Sequence, residues 1–498
     1  MSEKTDQIQE SATVASTTVA ESESLLDSIL KQTKVARSDE ERERAKDLIS
    51  ELITEALNGT VTVSRDVISA IDARIADIDN ALSNQLNAVM HASEFQQLEG
   101  TWRGLNYLVM NSETGTQLKI RVMNASKKEL IKDFKGSSEF DQSAIFKKIY
   151  GEEYDMFGGA PYAALVGDYE FSRHPEDMYL LEEMSHVAAA AHAPFLTAAS
   201  PELFNMDSFT ELSGPRDLAK IFDTVEYAKW KSFRESADSA YVGLALPHVL
   251  GRLPYGANNV PVEAFNFEED VTGKEHKNYL WTNAAYVLAS RLTDAFAKYG
   301  WCAAIRGVEG GGLVEGLPTH TFSTDEGDVA LKCPTEIALG DRRDKELSDL
   351  GFISLVHCKG TDKAAFFATQ SAQKPKKYDT DAANANARLS SQLQYMMAVS
   401  RFAHYFKSIM RDKIGGFTSR DELEKFMNRW IMNYVTEDDS AGFATKAQYP
   451  LREARIDVVE VAGKPGVYKA VAFLRPHFQL DELTISLRLV AELPPSAR

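Results

Sequence analysis

Apolar positions Val67, Ile71, Ile75, Ile78, Leu82, Leu86 and Val89 follow one another at steps of 4, 4, 3, 4, 4 and 3 residues. That heptad-like rhythm keeps them on one stripe of a helix of about seven turns. Such a stripe packs lengthwise on its own domain or pairs with a helix of a partner. Upstream, the segment 38–59 opens with a capping-box pattern, Ser38 to Glu41. It then places Ala45, Leu48, Ile49, Leu52, Ile53, Ala56 and Leu57 on one face and ends at Asn58-Gly59, which predicts a second helix. Further upstream still, "SESLLDSILKQTKVA" (22–36) carries Leu25, Leu26, Ile29 and Leu30 on one stripe, with Ser24 as N-cap and Lys31 and Lys34 near the end. Burying those four side chains gives very roughly 6–12 kcal/mol gross. Ordering about a dozen residues costs a similar amount, so this short helix needs a surface to dock on, its own domain's or another protein's.

The pattern changes in the middle of the chain. Short apolar or alternating runs, "QLKIRVM" (117–123), "PYAALVG" (161–167) and "APFLTAAS" (193–200), are separated by helical periodicity such as "PEDMYLLEEMSHVAAAAH" (175–192). Strands alternating with helices predict an α/β domain. The stretch "QKPKKYDTDAANANA" (373–387) has no periodicity and reads as a linker. Two helices are expected after it, over 390–414 and 419–435, and then only strands. A hairpin turns at Gly463–Gly466 and ends at Pro476. The final strand alternates Leu483, Ile485, Leu487 and Leu489 with Thr484, Ser486 and Arg488. One buried face and a free edge make that strand suited to pairing with a neighbouring chain.

Composition narrows the class. The 498 residues hold 55 Lys plus Arg against 73 Asp plus Glu, a net charge of −18. That field disfavours non-specific contact with nucleic acid or anionic lipid. No stretch reaches the roughly 20 apolar residues of a membrane span and "MSEKTDQIQE" has no apolar signal core, so the default expectation is a cytoplasmic protein with no direct membrane insertion. Three widely spaced cysteines, Cys302, Cys333 and Cys358, suggest neither a disulfide framework nor a zinc site.

Candidate chemistry is thin. Gly310–Gly312 in "VEGGGLVEG" lacks a following Lys-Ser or Lys-Thr and is flanked by Glu309 and Glu315, so a turn is expected rather than a phosphate cradle. Glu183 and His186 form a single Glu-x-x-His pair without a second, which reads as a solvated helix face. His186 and His192 flank an alanine-rich run suited to close packing. No catalytic residue, cofactor or metal is nominated. One charged pattern stands against the acidic whole: Arg401, His404, Lys407 and Arg411 at steps of 3, 3 and 4, opposite Phe402, Phe406, Ile409 and Met410. It is either a solvated face or a docking stripe for an acidic surface.

Five long segments carry a resemblance: "FQQLEGTWRGLNYLV" (95–109), "AHAPFLTAASPELFNMDSF" (191–209), "YLWTNAAYVLASRLTDAFAKYGWC" (279–302), "AAFFATQSAQKPK" (364–376) and "RPHFQLDELTISLRLV" (475–490). The chain resembles the large subunit of the contractile sheath of bacterial type VI secretion systems. The resemblance implies a non-enzymatic subunit that forms a heterodimer with the small sheath subunit. It also implies stacking with neighbouring protomers around inner-tube hexamers, engagement of a baseplate, and disassembly by an AAA+ unfoldase after contraction.

In that frame Leu25, Leu26, Ile29 and Leu30 become the expected unfoldase handle and Leu483, Ile485, Leu487 and Leu489 the intersubunit strand. Arg401, Lys407 and Arg411 become an inner-tube contact, and Ile71, Ile75, Ile78 and Leu82 the contact with the small subunit. The fold class expected is α/β (α+β). Residues 1–60 would form a tail and N-terminal helices, 61–372 a middle α/β domain, 373–387 a linker, and 388–498 a polymerising domain of helices and a strand-exchanged sheet. A sheath subunit of another phage-tail-like system and a metabolic α/β enzyme are the alternatives.

Overall fold

The computed structural model describes residues 67–479 except 215–216, 272–275, 324–328, 414–415, 417–418, 439 and 462–466, together with positions 44, 46, 47, 50, 51 and 54. Those six isolated positions are helical, in keeping with the helix expected over 38–59. The strand 483–489, the hairpin turn at 463–466 and the helix at 22–36 lie outside the described residues. The chain divides into two compact units, one of residues up to Asn87 with Tyr255–Glu269, the other of Ala88–Pro254 with Asp270 onwards.

In the first unit, helix α1 (Val67–Met90) takes up the heptad-like stripe. The inserted segment Tyr255–Glu269 closes on itself: the Glu269 amide donates to the Tyr255 carbonyl at 3.0 Å, and the Tyr255 amide to the Glu269 carboxylate at 2.8 Å. Asn87 Nδ2 donates to the Glu268 carbonyl at 3.2 Å.

The second unit is built on a six-stranded sheet. Its strands are β1 (Leu165–Phe171), β2 (Phe195–Ala199), β3 (Val242–Leu246), β4 (Leu313–Val314), β7 (Ile353–His357) and β8 (Ala364–Phe366), in spatial order β1-β2-β3-β7-β8-β4. The first four in that order are parallel, and β8 and β4 add antiparallel at the end. A separate hairpin joins β5 (His320–Ser323) and β6 (Val329–Lys332).

Alternation divides the strands between two cores. Phe195, Val242, Leu244, Leu246 and Val356 face one, packed with helix α4 (Pro175–Ala191). Leu196, Ala245, Ile353 and Leu355 face the other, packed with helix α5 (Ala284–Tyr299). Because strands buried on both faces have no polar side, β2 and β3 read as continuous apolar runs rather than clean alternations. Helix α4 follows α2 (Ser93–Met110) and α3 (Lys127–Gly136) in the chain. It starts with Pro175 at its first turn and ends where His192 turns left-handed at φ 50°. Helix α5 is capped by Asn283, whose side chain accepts from the Ala285 amide at 2.8 Å, and it closes at Gly300 with φ 76°.

Helix α2 lies close enough to α5 that a Cβ on Gly104 would sit 2.3 Å from the Tyr286 ring, and one on Gly100 2.8 Å from the Trp281 carbonyl. Small residues four apart are what permit that approach.

After α6 (Asp341–Asp349), β7 and β8, the chain enters its C-terminal part. Helices α7 (Asp381–Ser390), α8 (Leu393–Lys413), α9 (Arg420–Ile431) and α10 (Phe443–Gln448) precede the ribbon of β9 (Leu451–Glu460) and β10 (Tyr468–Pro476). A third core of Phe402, Leu423, Met427, Ile431, Ile456 and Val458, with Trp301 stacked on Phe402 at 4.3 Å, holds α8, α9 and the ribbon together.

Two expectations need correction, and one segment gains a helix. "QLKIRVM" is not a strand: it runs without a ladder partner before the Ser126 capping box of α3. Within the aperiodic segment 373–387, α7 starts at Asp381, capped by Thr380, whose hydroxyl accepts from the Ala383 amide. Alanine there supplies helix propensity, and Asn384 exchanges hydrogen bonds with the Tyr378 backbone amide and carbonyl. And α10 intervenes where only strands were expected.

Candidate functional site

Apolar side chains stand exposed in at least two places on this chain. On α1, Ile71, Ile75, Ile78 and Leu82 are 40–51% exposed, while the polar Ser83 and Asn87 are buried. The helix therefore turns its apolar stripe outward within the chain. Covering such a face is worth roughly 25 cal/mol per Å² of apolar surface.

The β9–β10 ribbon shows a second unfinished surface. Ile456 and Val458 point into the third core, whereas Val459, Val471 and Phe473 are exposed on the other side. Arg455 lies over the Phe473 ring at 5.0 Å. Among the described residues the ribbon has two strands only, apart from a single bridge of Val435 to Leu451. Open ladder edges of this kind recruit further strands.

On the basic stripe of α8, Lys407 and Arg411 are paired within the chain. Lys407 Nζ is 2.8 Å from Asp155 Oδ1 and 3.8 Å from the Tyr154 ring centroid. Arg411 donates to the carbonyls of Met156 at 2.9 Å and Asp155 at 3.0 Å. Arg401 lies over the Tyr405 ring at 5.1 Å. His404 is buried, donating from Nε2 to the Ala191 carbonyl at 2.9 Å. Burial, with help from neighbouring cations, pushes its pKa down to about 4. The stripe thus ties α8 to the π-helical turn Lys147–Tyr154, to the residues after it and to the end of α4. The candidate unfoldase residues Leu25, Leu26, Ile29 and Leu30 and the candidate strand residues Leu483, Ile485, Leu487 and Leu489 lie outside the described residues.

At the carboxyl ends of the parallel strands, where open α/β sheets usually bind ligands, the chain fills the space with its own polar side chains. Glu336 is buried and accepts from His276 Nε2 at 2.9 Å, from the Ser208 hydroxyl at 2.8 Å and from the Phe209 amide at 3.2 Å. His248 bridges Glu336 and Glu170, the latter at 2.8 Å. Burial alone would lower His248, but Glu170 and Glu336 push it up to about 10. Burial would raise Glu336, but hydrogen bonds from His248 and His276 hold it far below the usual carboxylate range. Sequence reasoning missed this cluster because its members come from distant segments and share no motif.

Elsewhere, Gly310–Gly312 form the expected turn, with Gly311 at φ 89° and the Gly312 amide donating to the Gly307 carbonyl at 2.9 Å. His186 pairs with Asp238 at 2.8 Å. Among the described residues, no cluster of three or more His, Cys, Asp or Glu could hold a metal, and no helix is long and apolar enough to cross a membrane.

An α/β body with outward apolar stripes and an open C-terminal ribbon defines a subunit made for assembly. Residues 72–373 match the EvpB/VC_A0108 tail sheath N-terminal domain, and residues 382–493 match the tail sheath gpW/gp25-like domain of the same family. The chain is 52% identical over 481 residues to the type VI secretion system sheath protein TssC1 of Pseudomonas aeruginosa, covering 96% of each. It belongs to the VipB (EvpB/VC_A0108) tail sheath family and is a structural sheath subunit of a type VI secretion or phage-tail-like contractile system, not an enzyme.

Two solved assemblies are also similar. They are the anti-feeding prophage baseplate (TM-score 0.35, 8% identity, 63% of this chain and 66% of that one) and the contracted helical sheath of the same particle (TM-score 0.29, 9% identity, 62% and 66%).

Proposed function

We propose that the chain is the large, cytoplasmic subunit of a two-component sheath. Its α1 stripe, Ile71, Ile75, Ile78 and Leu82, takes a helix of the small sheath subunit. Its C-terminal ribbon takes strands from neighbouring protomers, with Leu483, Ile485, Leu487 and Leu489 supplying the exchanged strand. The observation that carries this reading is the outward apolar face of α1 beside buried Ser83 and Asn87. Contraction would then drive the inner tube from its baseplate, with Arg401, Lys407 and Arg411 as an electrostatic contact to the tube hexamers. Two of those cations also hold residues 154–156 of the same chain. An AAA+ unfoldase would reclaim contracted sheaths through Leu25, Leu26, Ile29 and Leu30.

Co-expression with the small subunit tests the central claim. Replacing Ile75 and Ile78 together with Asp should abolish co-purification while leaving the large subunit folded, because two charges cannot be buried unpaired in an apolar seam. Undiminished heterodimer would overturn the assignment of α1. For the handle, Leu26→Asp with Ile29→Asp should leave assembly intact and block ATP-driven disassembly.

A further inference from the structure

We propose that residues 119–124 are an edge onto which an acidic strand of the small sheath subunit adds, a second contact that rests on the two-component reading above. Leu118, Ile120 and Val122 alternate with Lys119 and Arg121, and two of those three apolar residues are β-branched, the composition of a strand with one apolar side. In the folded chain that pattern has no ladder. Among the described residues, no backbone amide or carbonyl of residues 119–124 has a hydrogen-bond partner in the chain. The run is nevertheless held at both ends. The Gly115 amide donates to the Leu118 carbonyl at 2.9 Å, and the Tyr169 hydroxyl to the Ala125 carbonyl at 2.6 Å. Arg121 pins its middle, donating to the Tyr162 hydroxyl at 3.2 Å and pairing with Glu153. A row of open backbone groups on an anchored run is a template for strand addition.

Side chains along the run fit the same role. Ile120 and, from α2, Leu105 both pack against Leu108, Tyr286 and Ala289, which seats the run on the body. Beyond that seat, Val122 is 67% exposed and Met123 49%. An added strand covers such side chains as well as pairing the backbone.

Charge selects an acidic partner. Between Glu113 and Glu129 the chain has no acidic residue, yet it has Lys119, Arg121, Lys127 and Lys128, inside a molecule of net charge −18. Lys119 and Lys128 are exposed. The run leads into α3, where Lys128, Lys132 and Lys135 line an open cavity of about 430 Å³ together with Ile131, Gly136 and Glu176. Glu176 pairs with Lys135 at 3.1 Å, which leaves Lys128 and Lys132 to meet incoming carboxylates. Pairs of this kind set partner choice and register more than affinity.

The test uses the full-length chain, alone and co-purified with the small sheath subunit. Hydrogen–deuterium exchange read by mass spectrometry should show the amides of residues 119–124 exchanging freely in the chain alone and slowed about a hundredfold in the heterodimer. Val122→Pro and Met123→Pro remove successive amides, which point to opposite sides of a strand, so at least one of the two should weaken the heterodimer about tenfold while the melting temperature of the chain alone stays unchanged. Lys119→Glu with Lys128→Glu should weaken it too and reduce its salt dependence. A heterodimer whose 119–124 amides exchange as fast as in the chain alone, or one that both proline variants leave unweakened, would overturn this site and leave the two-component reading standing. No heterodimer at all would remove both. Slow exchange already present in the chain alone and growing with its concentration would assign the run to a second copy and overturn the proposal. If the proline variants lower the melting temperature, exchange in the unmodified heterodimer decides alone.

Discussion

In the six-stranded sheet, β2 and β3 are buried along their whole length and helices cover both faces. In the β9–β10 ribbon, one face is buried and the other exposes Val459, Val471 and Phe473, with no third strand laddered to it among the described residues. Both regions are apolar-rich. The sheet meets its apolar demand inside one chain, whereas among the described residues the ribbon and the α1 stripe keep apolar side chains exposed. A sheath subunit needs both: a body stable before assembly, and surfaces that gain by polymerising.

The largest effects should come from breaking the closed region. Phe352 is fully buried just before β7, with ring centroids 4.7 Å from Phe204 and 5.5 Å from Trp230. Phe352→Ala should cost about 3–5 kcal/mol of stability in urea unfolding and reduce soluble yield.

Close behind is the polar lock at the same sheet. Glu336→Ala removes the acceptor shared by His248 and His276 and should cost about 3–5 kcal/mol. Its pH signature has two arms. His248, raised to about 10 in the folded chain, contributes stability that is complete below its unfolded pKa near 6.5 and is lost as pH rises through about 10. Glu336, depressed when folded, contributes above about pH 4.5 and is lost as pH falls. Thermal melts across pH should show both arms in the parent and neither in His248→Leu with Glu336→Leu.

His404 makes the join between α8 and α4 acid-sensitive. Its folded pKa lies below its unfolded value, so between about pH 6.5 and 4 the unfolded chain binds the extra proton and stability falls with pH, by at most about 3 kcal/mol. His404→Gln, which can still donate to the Ala191 carbonyl, should flatten that window. An unchanged acid limb would locate the acid sensitivity elsewhere.

The smallest effect on stability should come from the open region. Phe473→Ser should move the unfolding midpoint by no more than about 0.5 kcal/mol, yet shorten or abolish sheaths seen by negative-stain microscopy. Normal sheath length would mean that this face of the ribbon is not an assembly surface.

The periodicity of α1, α4, α8 and α9, the capping boxes at Ser126 and Ser419, and the β9–β10 hairpin ending at Pro476 follow from local residue order, since caps and amphipathic repeats act within a few turns of chain. The family was also legible, because long segments in order carry it. What local order cannot decide is which apolar face meets which. Only the folded chain turned Ile71, Ile75, Ile78 and Leu82 outward, bound Lys407 and Arg411 to residues 154–156, and gathered Glu170, His248, His276 and Glu336 at one end of the sheet. Burial and charge pairing depend on contacts between residues far apart in the chain, and those exist only once the sheet has ordered its strands.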